Sequence, residues 1–290
     1  MYYKIGVDVG GTNTDAVLVS NKNVILAKTK QTTSTTISHG IENAIKNVIS
    51  EGNIPTEKIK YIMLGTTHCT NALVERKNLN KVGAIRIGLP ASRALPIMTD
   101  FPEDLKKILG KHNYLVHGGY EFDGRLISPL NEKEIKGYLL KMKGEVESLS
   151  ITGIFSKTLP NQELKVAEWA KNVLGTGIKI SCSHQVGGLG LLERENASIL
   201  NASLKGVATK MVTAFKETIK KLGLNSQLFI GQNDGTLMSL EQVQEFPVLT
   251  ISSGPTNSIR GAGALSKISN GIVIDVGGTT SDGGVLVNYF

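Results

Sequence analysis

Apolar residues along the chain follow two spacings, one typical of strands and one typical of helices. From Ile37 to Glu51 they recur every three or four positions, which predicts an amphipathic helix. Further helices are predicted at Thr70–Lys77, Gln162–Leu174, Leu191–Leu222 and from Ser253 to about Lys267. Short β-branched runs predict strands at Ile5–Asp8, Ala16–Val19, Asn23–Lys30, Ile59–Leu64, Val82–Ile87, Ser148–Phe155, Ile178–Cys182, Leu228–Ile230 and Val248–Ile251. Residues 90–146 contain several prolines and are expected to be irregular.

Composition and charge narrow the class of protein. The chain has 290 residues, of which 40% are hydrophobic, so disorder is excluded and one large or two ordinary domains are expected. The net charge of +7 favours attraction of an anion such as a nucleotide. The lysines are scattered and no nucleic-acid-binding motif is present, so nucleic acid is not an expected partner.

Cysteine and histidine usage points to a cytoplasmic location. The two cysteines form no C-x-x-C pair, which is typical of a protein whose cysteines stay reduced. No apolar stretch reaches the length of a membrane span. The first residues have the pattern of a strand rather than that of a signal peptide. The histidines form no H-x-H or H-E-x-x-H pattern, so a structural zinc site is not expected.

One short motif occurs twice. Asp8–Asp15 reads DVGGTNTD and Asp275–Asp282 reads DVGGTTSD, an offset of 275 − 8 = 267 residues. Each copy is predicted to form a strand, a turn and a strand. Paired glycines let the backbone approach a bulky anion, and successive N–H groups in such a turn form an anion-binding concavity. An aspartate ending the first strand suits a Mg²⁺ carried by a phosphate.

The alternative interpretation is that both copies are tight β-hairpins whose glycines only satisfy the turn. The repetition of the motif with its aspartate favours the phosphate interpretation. A phosphoryl group held between two such hairpins would be positioned and stabilised electrostatically, which is what phosphoryl transfer mainly needs.

Two weaker candidate sites follow predicted strands. Thr66, Thr67, His68 and Asn71 lie where a strand leads into a helix, a favourable place for an anion or a substrate carbonyl. The alternative is that these side chains only cap the helix. Asn233 and Asp234 follow the strand Leu228–Ile230, where α/β sheets often bind ligands, although an ordinary turn explains them equally well.

The paired DVGGT turns resemble the two phosphate loops of the actin-like ATPase superfamily. The chain as a whole resembles the hydantoinase/oxoprolinase family and, within it, the A-type polypeptides. The segments that carry this resemblance are IGVDVGGTNTDAVL, LGTTHCTNALVERK, HGGYEFDGRLISPL, LLERENASILNA, QNDGTLMS, SSGPTNSIRGA and IDVGGTTSDGGVL, in this order along the chain. They imply an α/β fold of the actin-like ATPase (RNase H-like) type.

The resemblance also implies ATP-dependent opening or activation of a cyclic amide, such as a hydantoin or 5-oxoproline, by phosphorylation of the amide oxygen. It implies ATP and Mg²⁺ as cofactors and a hydantoinase B-type partner. Catalytic and Mg²⁺-binding roles are implied for Asp8 and Asp275. The phosphate-binding residues implied by position are Gly10, Gly11, Thr12 and Asn13 in the first loop and Gly277, Gly278, Thr279 and Thr280 in the second.

This sequence departs from the family pattern in two positions and in length. Many members carry Phe where Asn13 stands and a nonpolar residue where His68 stands. The adenosine-binding glycine motif of the family normally follows the second phosphate loop, so we expect an N-terminal fragment that is inactive by itself. The expected domains are a first actin-like lobe formed by 1–80 and 187–268, an inserted α/β subdomain at 81–186, and the first strands of an incomplete second lobe at 269–290.

Two other functions remain compatible with the residues. A sugar or small-molecule kinase of the same superfamily would need a carboxylate base, for which Asp234 is the candidate. A non-catalytic component of an ATP-dependent carboxylase or hydrolase complex would bind its partner without turnover of its own.

Overall fold

The computed structural model describes residues 1–10, 13–32, 37–276 and 281–288. Its strands are β1 Tyr3–Val9, β2 Asn13–Ser20, β3 Ile25–Thr32, β4 Ile59–Thr66, β5 Val82–Leu89, β6 Asn113–His117, β7 Ser148–Gly153, β8 Lys179–Cys182, β9 Gln227–Gly231, β10 Leu237–Ser239, β11 Gly271–Val276 and β12 Ser281–Leu286. Its α-helices are α1 Ile37–Gly52, α2 His68–Val74, α3 Glu103–Leu109, α4 Glu132–Met142, α5 Asn161–Leu174, α6 Ser183–Val186, α7 Leu191–Lys221, α8 Leu240–Glu245 and α9 Ser253–Ser266. Among the helices described, none has the length and apolar character needed to cross a bilayer.

The first compact unit comprises Met1–Asn71 and Ala208–Phe290. Its main sheet has the order β10-β9-β4-β1-β2-β3, in which β1, β2 and β3 run antiparallel while β4 and β9 run parallel to β1. Along β2, buried and half-buried residues alternate, which is the pattern of a strand with one face in a core. Helix α1 packs on β1, β2 and β3 and covers that face. The core side chains include Ile5, Leu18, Ile45, Ile62 and Phe215.

The second compact unit is Ala72–Val207, a longer range than the insert expected at 81–186. Its sheet is parallel throughout, in the order β6-β5-β7-β8. Strand β7 is buried along its whole length and β5 in all but its last residue, as expected for parallel strands covered on both faces. A fully buried ion pair joins Arg86 to Glu195, with Nη2 and Oε1 2.5 Å apart.

The prediction of irregular structure at 90–146 was wrong, because this stretch contains α3, β6 and α4. Its prolines do not interrupt these elements. Pro102 is the N-cap of α3, where a missing N–H costs nothing. Asn131 caps α4 by accepting a hydrogen bond from the Glu134 N–H at 3.1 Å. The strand predicted at Val248–Ile251 was also wrong, since Pro247–Thr250 forms a 3₁₀ turn that opens with the proline.

Strands β11 and β12 form a separate two-stranded sheet in the first unit. Helix α9 packs against both strands. Most of the hairpin's large apolar side chains are nevertheless exposed, among them Ile272, Ile274, Val276 and Val285. The apolar sequence of β11, which resembles that of a buried strand, therefore lacks most of its cover within the part of the chain that the structure describes.

Candidate functional site

The two DVGGT copies form hairpins with the same strand register. Asp8 lies opposite Asp15 across β1 and β2, and Asp275 lies opposite Asp282 across β11 and β12. The structure thus confirms the two paired strands of each copy, while Gly11, Thr12 and residues 277–280 of the turns lie outside the described residues. Six of the residues predicted to bind phosphate lie outside the described residues: Gly11, Thr12, Gly277, Gly278, Thr279 and Thr280.

A row of four residues crosses the sheet at the end of β1. Asp8 pairs with Asp15 on one side and with Gly65 on the other, and Asp15 pairs with Lys30 on β3. The row lies on the face opposite the core, because its neighbours Val7 and Leu64 are buried. Like charges directly opposite each other destabilise a sheet, so a cation near the Asp8–Asp15 pair would stabilise it.

A cavity of about 870 Å³ opens over this row. Its volume is in the usual range for pockets that bind small molecules. Strands β1, β2, β3, β4, β9 and β10 and helix α9 contribute to it. Its polar lining comprises Asp8, Asp15, Lys28, Thr29, Lys30 and Asn257, and its apolar lining includes Val17, Met63, Leu237 and Leu265.

The carboxyl group of Asp8 is the most perturbed acid of the cavity. Desolvation by the surrounding protein raises its pKa, the carboxylates of Asp15 and Asp275 raise it further, and Lys30 opposes them. The side chain has exposed surface, but it lies in a concave site, where protein replaces much of the bulk water. A carboxylate that is made harder to ionise by two neighbouring carboxylates is one that a divalent cation would stabilise in its charged form.

Two of the three carboxylates are held by other side chains. Lys30 Nζ lies 3.4 Å from Asp15 Oδ2 at the edge of the row. Ser258, in the first turns of α9, donates its hydroxyl hydrogen bond to Asp275 Oδ2 at 2.6 Å. Helix α9 therefore ties the aspartate of the second hairpin to the same unit that carries the first.

Gly65 and Gly231 make room for two side chains that line the cavity, those of Asp8 and Asn257. A Cβ atom at Gly65 would lie 2.5 Å from Asp8 Oδ1, and one at Gly231 would lie 2.9 Å from Asn257 Nδ2. Both glycines lie at strand ends, as expected from the sequence. Asn257 and Ser258 were not singled out by the sequence, although the S-S-G-P-T-N-S segment that opens α9 contains them.

In the described part of the first phosphate loop, one backbone amide donates a hydrogen bond within the hairpin itself. Gly10 N–H donates to the carbonyl of Asn13 at 2.9 Å and closes the hairpin. This amide is not available to a phosphate in this conformation. Gly11 and Thr12 lie outside the described residues, so the phosphate role of the loop stays a prediction.

The Thr66–Asn71 segment forms a helix cap. Thr66 Oγ1 accepts the N–H of His68 at 3.2 Å, and Asn71 Nδ2 donates to Thr67 Oγ1 at 3.3 Å. Burial lowers the pKa of His68, which favours its neutral form. The capping interpretation accounts for these contacts, and a substrate role for the four residues stays a prediction.

Asn233 and Asp234 lie in the turn between β9 and β10. Asp234 Oδ1 accepts the N–H and the hydroxyl of Thr236 at 2.8 and 2.7 Å, and these hydrogen bonds hold the pKa of Asp234 below its usual range. The carbonyl of Asn233 accepts the hydroxyl of Thr256 at 2.7 Å, which fastens the turn to α9. The contacts given for both residues organise the turn, and their ligand-binding role stays a prediction.

Comparison with known protein families shows to which family the chain belongs. The model of the hydantoinase/oxoprolinase N-terminal region matches residues 4–174, and that of hydantoinase/oxoprolinase matches residues 194–289. This chain belongs to the hydantoinase/oxoprolinase family. The resemblance inferred from the sequence motifs is confirmed.

Relatives and solved structures agree with this assignment. The chain is 28% identical to an uncharacterised protein of Methanocaldococcus jannaschii, with 99% of this chain and 44% of the relative covered. It is 26% identical to the alpha subunit of the caprolactamase of Pseudomonas jessenii, and the match covers 97% of this chain and 43% of that subunit. It therefore spans less than half the length of these relatives.

Two solved structures share the fold. A nucleotide-free acetone carboxylase structure, from a study of ATP-dependent acetone carboxylation, has a TM-score of 0.78 at 18% identity over 99% of this chain and 44% of that chain. The structure of the ATP-dependent caprolactamase of Pseudomonas jessenii has a TM-score of 0.78 at 22% identity, over 97% of this chain and 43% of that chain. The α/β fold of actin-like ATPase type predicted from the sequence is confirmed.

Proposed function

We propose that this chain is the nucleotide-binding part of an ATP-dependent hydrolase that opens or activates a cyclic amide, of the hydantoin, 5-oxoproline or lactam type. The observation that carries the proposal is the Asp8–Asp15 pair, two facing carboxylates on the floor of a cavity, with Asp275 close enough to raise the pKa of Asp8. Family membership and the name of the caprolactamase relative support the choice of ATP and of a cyclic amide.

The residues of the cavity fit a magnesium-bound nucleotide. Carboxylate oxygens are the ligands that Mg²⁺ prefers, and Asp8 and Asp275 are the proposed ligands. Gly65 and Gly231, which have no Cβ atom, let the side chains of Asp8 and Asn257 lie close against the backbone of β4 and β9. Lys28 and Lys30 add positive charge along the wall, which favours a polyphosphate.

ATP would supply the phosphoryl group that makes an amide carbonyl a better electrophile. The proposed task of this chain's own residues is to orient and to compensate charge. Asp15 shares its charge with Lys30, Ser258 fixes the direction of the Asp275 carboxylate, and the apolar wall around Met63 reduces the access of water. Such fixed groups stabilise a transferring phosphoryl group without reorganising during the reaction.

The first test is binding. Isothermal titration of the full-length protein with Mg²⁺ and a non-hydrolysable ATP analogue should show binding that is lost with a chelator. Asp8→Asn should weaken it at least about tenfold, or about 1.4 kcal/mol. Asp123→Asn, an exposed aspartate paired with Arg125 in the second unit, is the control and should bind like wild type. Equal binding by wild type and Asp8→Asn would contradict the proposed metal site.

The second test concerns the reaction. We propose that turnover requires the full-length protein with a hydantoinase B-type partner in the cytoplasm, so the assay uses that complex. Hydantoins, 5-oxoproline and lactams should stimulate ATP hydrolysis and give the ring-opened acid with inorganic phosphate. A stable phosphorylated product would identify a kinase instead, and tight partner binding without any turnover would identify a non-catalytic component.

A further inference from the structure

Three side chains of the second unit place metal-binding atoms close together. Glu163 lies in the first turn of α5, Cys182 ends β8, and His184 lies in α6. A carboxylate oxygen, the thiol sulfur and an imidazole nitrogen of these residues all lie within 4.8 Å of one another. None of them belongs to the cavity proposed for the nucleotide.

The fold brings the three residues together for a simple reason. Cys182 and His184 are two positions apart where β8 ends, and Cys182 is still in extended conformation with φ −93° and ψ 128°. Strands β7 and β8 are parallel neighbours, so the loops that follow them meet at one edge of the sheet. Helix α5, which connects the two strands, begins at that edge and delivers Glu163.

Glu163 is held rigidly in this position. Its Oε1 accepts hydrogen bonds from Gly153 N at 2.8 Å, Ser156 Oγ at 2.6 Å and Ser183 Oγ at 2.5 Å. The side chain is fully buried, so an ion bound here would meet a fixed carboxylate rather than a mobile one. Preorganised ligands of this kind are the mark of a metal site supported by its surroundings.

The ligand set suits zinc. Thiolate, imidazole and carboxylate are the three side-chain ligands that Zn²⁺ takes, and two ligand atoms of a tetrahedral zinc site lie about 3.5 Å apart. The present separations therefore require only small shifts. His184 Nδ1 and Glu163 Oε2 lie 2.6 Å apart in a hydrogen bond, and a metal ion bound between them would displace its proton.

All three side chains are largely buried. Cys182 is 6% exposed and the His184 side chain 14%, so the imidazole is the most exposed of the three proposed ligands. Glu163 and a Cys182 thiolate would supply two negative charges, and the positive charge of Arg194 lies close to Glu163. Arg194, also buried, donates from Nε to Ser183 Oγ at 2.9 Å and so fixes the hydroxyl that in turn fixes Glu163.

We propose that Glu163, Cys182 and His184 form a zinc site in the second unit, with three protein ligands. The fourth position is taken by water, as in other zinc sites with three protein ligands. The spacing C-x-H was not recognised in the sequence, because the third ligand comes from a helix that precedes it by about twenty residues.

The experiment measures metal content directly and does not depend on ATP. The wild-type chain is stripped with a chelator, reloaded with Zn²⁺, passed through a desalting column and analysed by mass spectrometry. We expect one zinc ion per chain. Cys182→Ser and His184→Asn should lower zinc to background, and Ser183→Ala, which removes a hydrogen bond to the carboxylate, should weaken binding about tenfold.

Matched variants distinguish the site from non-specific binding. Cys69→Ser changes the other buried cysteine, and His117→Asn changes a histidine that also contacts a glutamate, Glu134, at 3.1 Å. Both should keep their zinc. With Co²⁺ in place of Zn²⁺, the wild type and Cys69→Ser should show a thiolate-to-cobalt absorption that Cys182→Ser lacks.

Circular dichroism accompanies every sample, so that loss of metal is read only from folded protein. A folded wild-type chain that retains no zinc would overturn the proposal. Equal zinc in Cys182→Ser, His184→Asn and wild type would overturn it as well. In either case the Glu163–His184 contact would be a structural hydrogen bond that fastens α5 to the end of β8.

Discussion

The two hairpins share a sequence and a register but have very different surroundings. Ile5 and Ile272 occupy equivalent positions, since 5 + 267 = 272, and each faces the equivalent partner, Leu18 or Val285. Ile5 is 0% exposed, whereas Ile272 is 78% exposed. The first hairpin is the centre of a sheet covered by α1, and the second forms a two-stranded sheet that α9 covers only in part.

This difference shows that the motif encodes the hairpin and not its burial. Backbone pairing between two short strands is local, so both copies form it. Burial depends on which elements pack against the strands. Helix α1 packs against the strands of the first copy, whereas helix α9 packs against those of the second. Only the first copy has its apolar side chains in the main core of the unit.

The largest expected effect is a difference in protein stability between matched substitutions in the two hairpins. Ile5→Ala removes a fully buried side chain and should lower the free energy of unfolding by about 2–5 kcal/mol. Ile272→Ala, at the matched exposed position, should change it by less than about 0.5 kcal/mol. Urea unfolding of both variants measures the difference. Similar losses in both would mean that the second hairpin is covered in solution.

A smaller effect tests the close contact between the side chain of Asp8 and the backbone of Gly65. Gly65→Ala places a Cβ only 2.5 Å from the present position of Asp8 Oδ1, so the flexible carboxylate must turn away. Affinity for Mg²⁺ and the ATP analogue should fall at least about tenfold, or about 1.4 kcal/mol, with little change in stability. Gly137→Ala, where a Cβ meets nothing within 4 Å, is the control and should leave binding unchanged. Unaltered nucleotide affinity in Gly65→Ala would remove Asp8 from the site.

The third prediction concerns the pH dependence of Asp8. Burial, Asp15 and Asp275 raise its pKa above the ordinary value of 3.8, so its protonated form stabilises the fold and this contribution is lost as the pH rises through the raised pKa. Asp8→Asn should therefore be more stable than wild type at neutral pH, and the difference should disappear below about pH 3.8. Thermal unfolding over a pH series measures it.

The control for this prediction is the matched aspartate of the second hairpin. Asp275→Asn loses the charge that accepts a 2.6 Å hydrogen bond from Ser258 and should not gain stability in the same way. An equal gain in both variants would show that net charge, rather than the surroundings of Asp8, governs the effect.

The smallest expected effect lies in the helices that cover the first hairpin. Glu42 on α1 accepts hydrogen bonds from Lys46 at 2.7 Å and from Lys221 on α7 at 2.9 Å, which lower its pKa to about 2. This stabilisation is present above the usual value of 4.5 and is lost as the pH falls through about 2. Glu42→Gln should be slightly less stable than wild type at neutral pH, with the gap closing in acid.

Glu51→Gln, which changes an exposed glutamate on the same helix, is the control for Glu42 and should follow wild type at every pH. Thermal unfolding is again the measurement. The effect should be small because both lysine partners of the buried Glu42 are exposed and solvent screens their charges. A constant gap between Glu42→Gln and wild type down to pH 2 would contradict the role of the charge.

Much of the fold could be predicted because its signals are local. Strong periodicity located α1, α5 and α7 to within one or two residues, and β-branched runs located the central strands. The 90–146 region was misjudged because prolines were taken as breakers, whereas Pro102 lies at a helix start, where a proline is tolerated. The 3₁₀ turn at Pro247–Thr250 was misjudged because a short apolar run does not distinguish a strand from a turn.

The candidate site was predicted only in part. The repeated aspartates stand out in the sequence, and the structure gives Asp8 a partner, a cavity and a raised pKa. Asn257 and Ser258 did not stand out, because their side chains acquire a role only when α9 packs beside β4 and β11.

By itself, the sequence determined the family, the α/β alternation and the shared register of the two hairpins. These follow from motifs, spacing and pairing within a few residues. The tertiary structure alone decided that Ile5 is buried and Ile272 exposed, that Asp8 resists ionisation, and that Glu163 meets Cys182 and His184. Burial, desolvation and ligand distances arise between elements distant in sequence, so packing sets them.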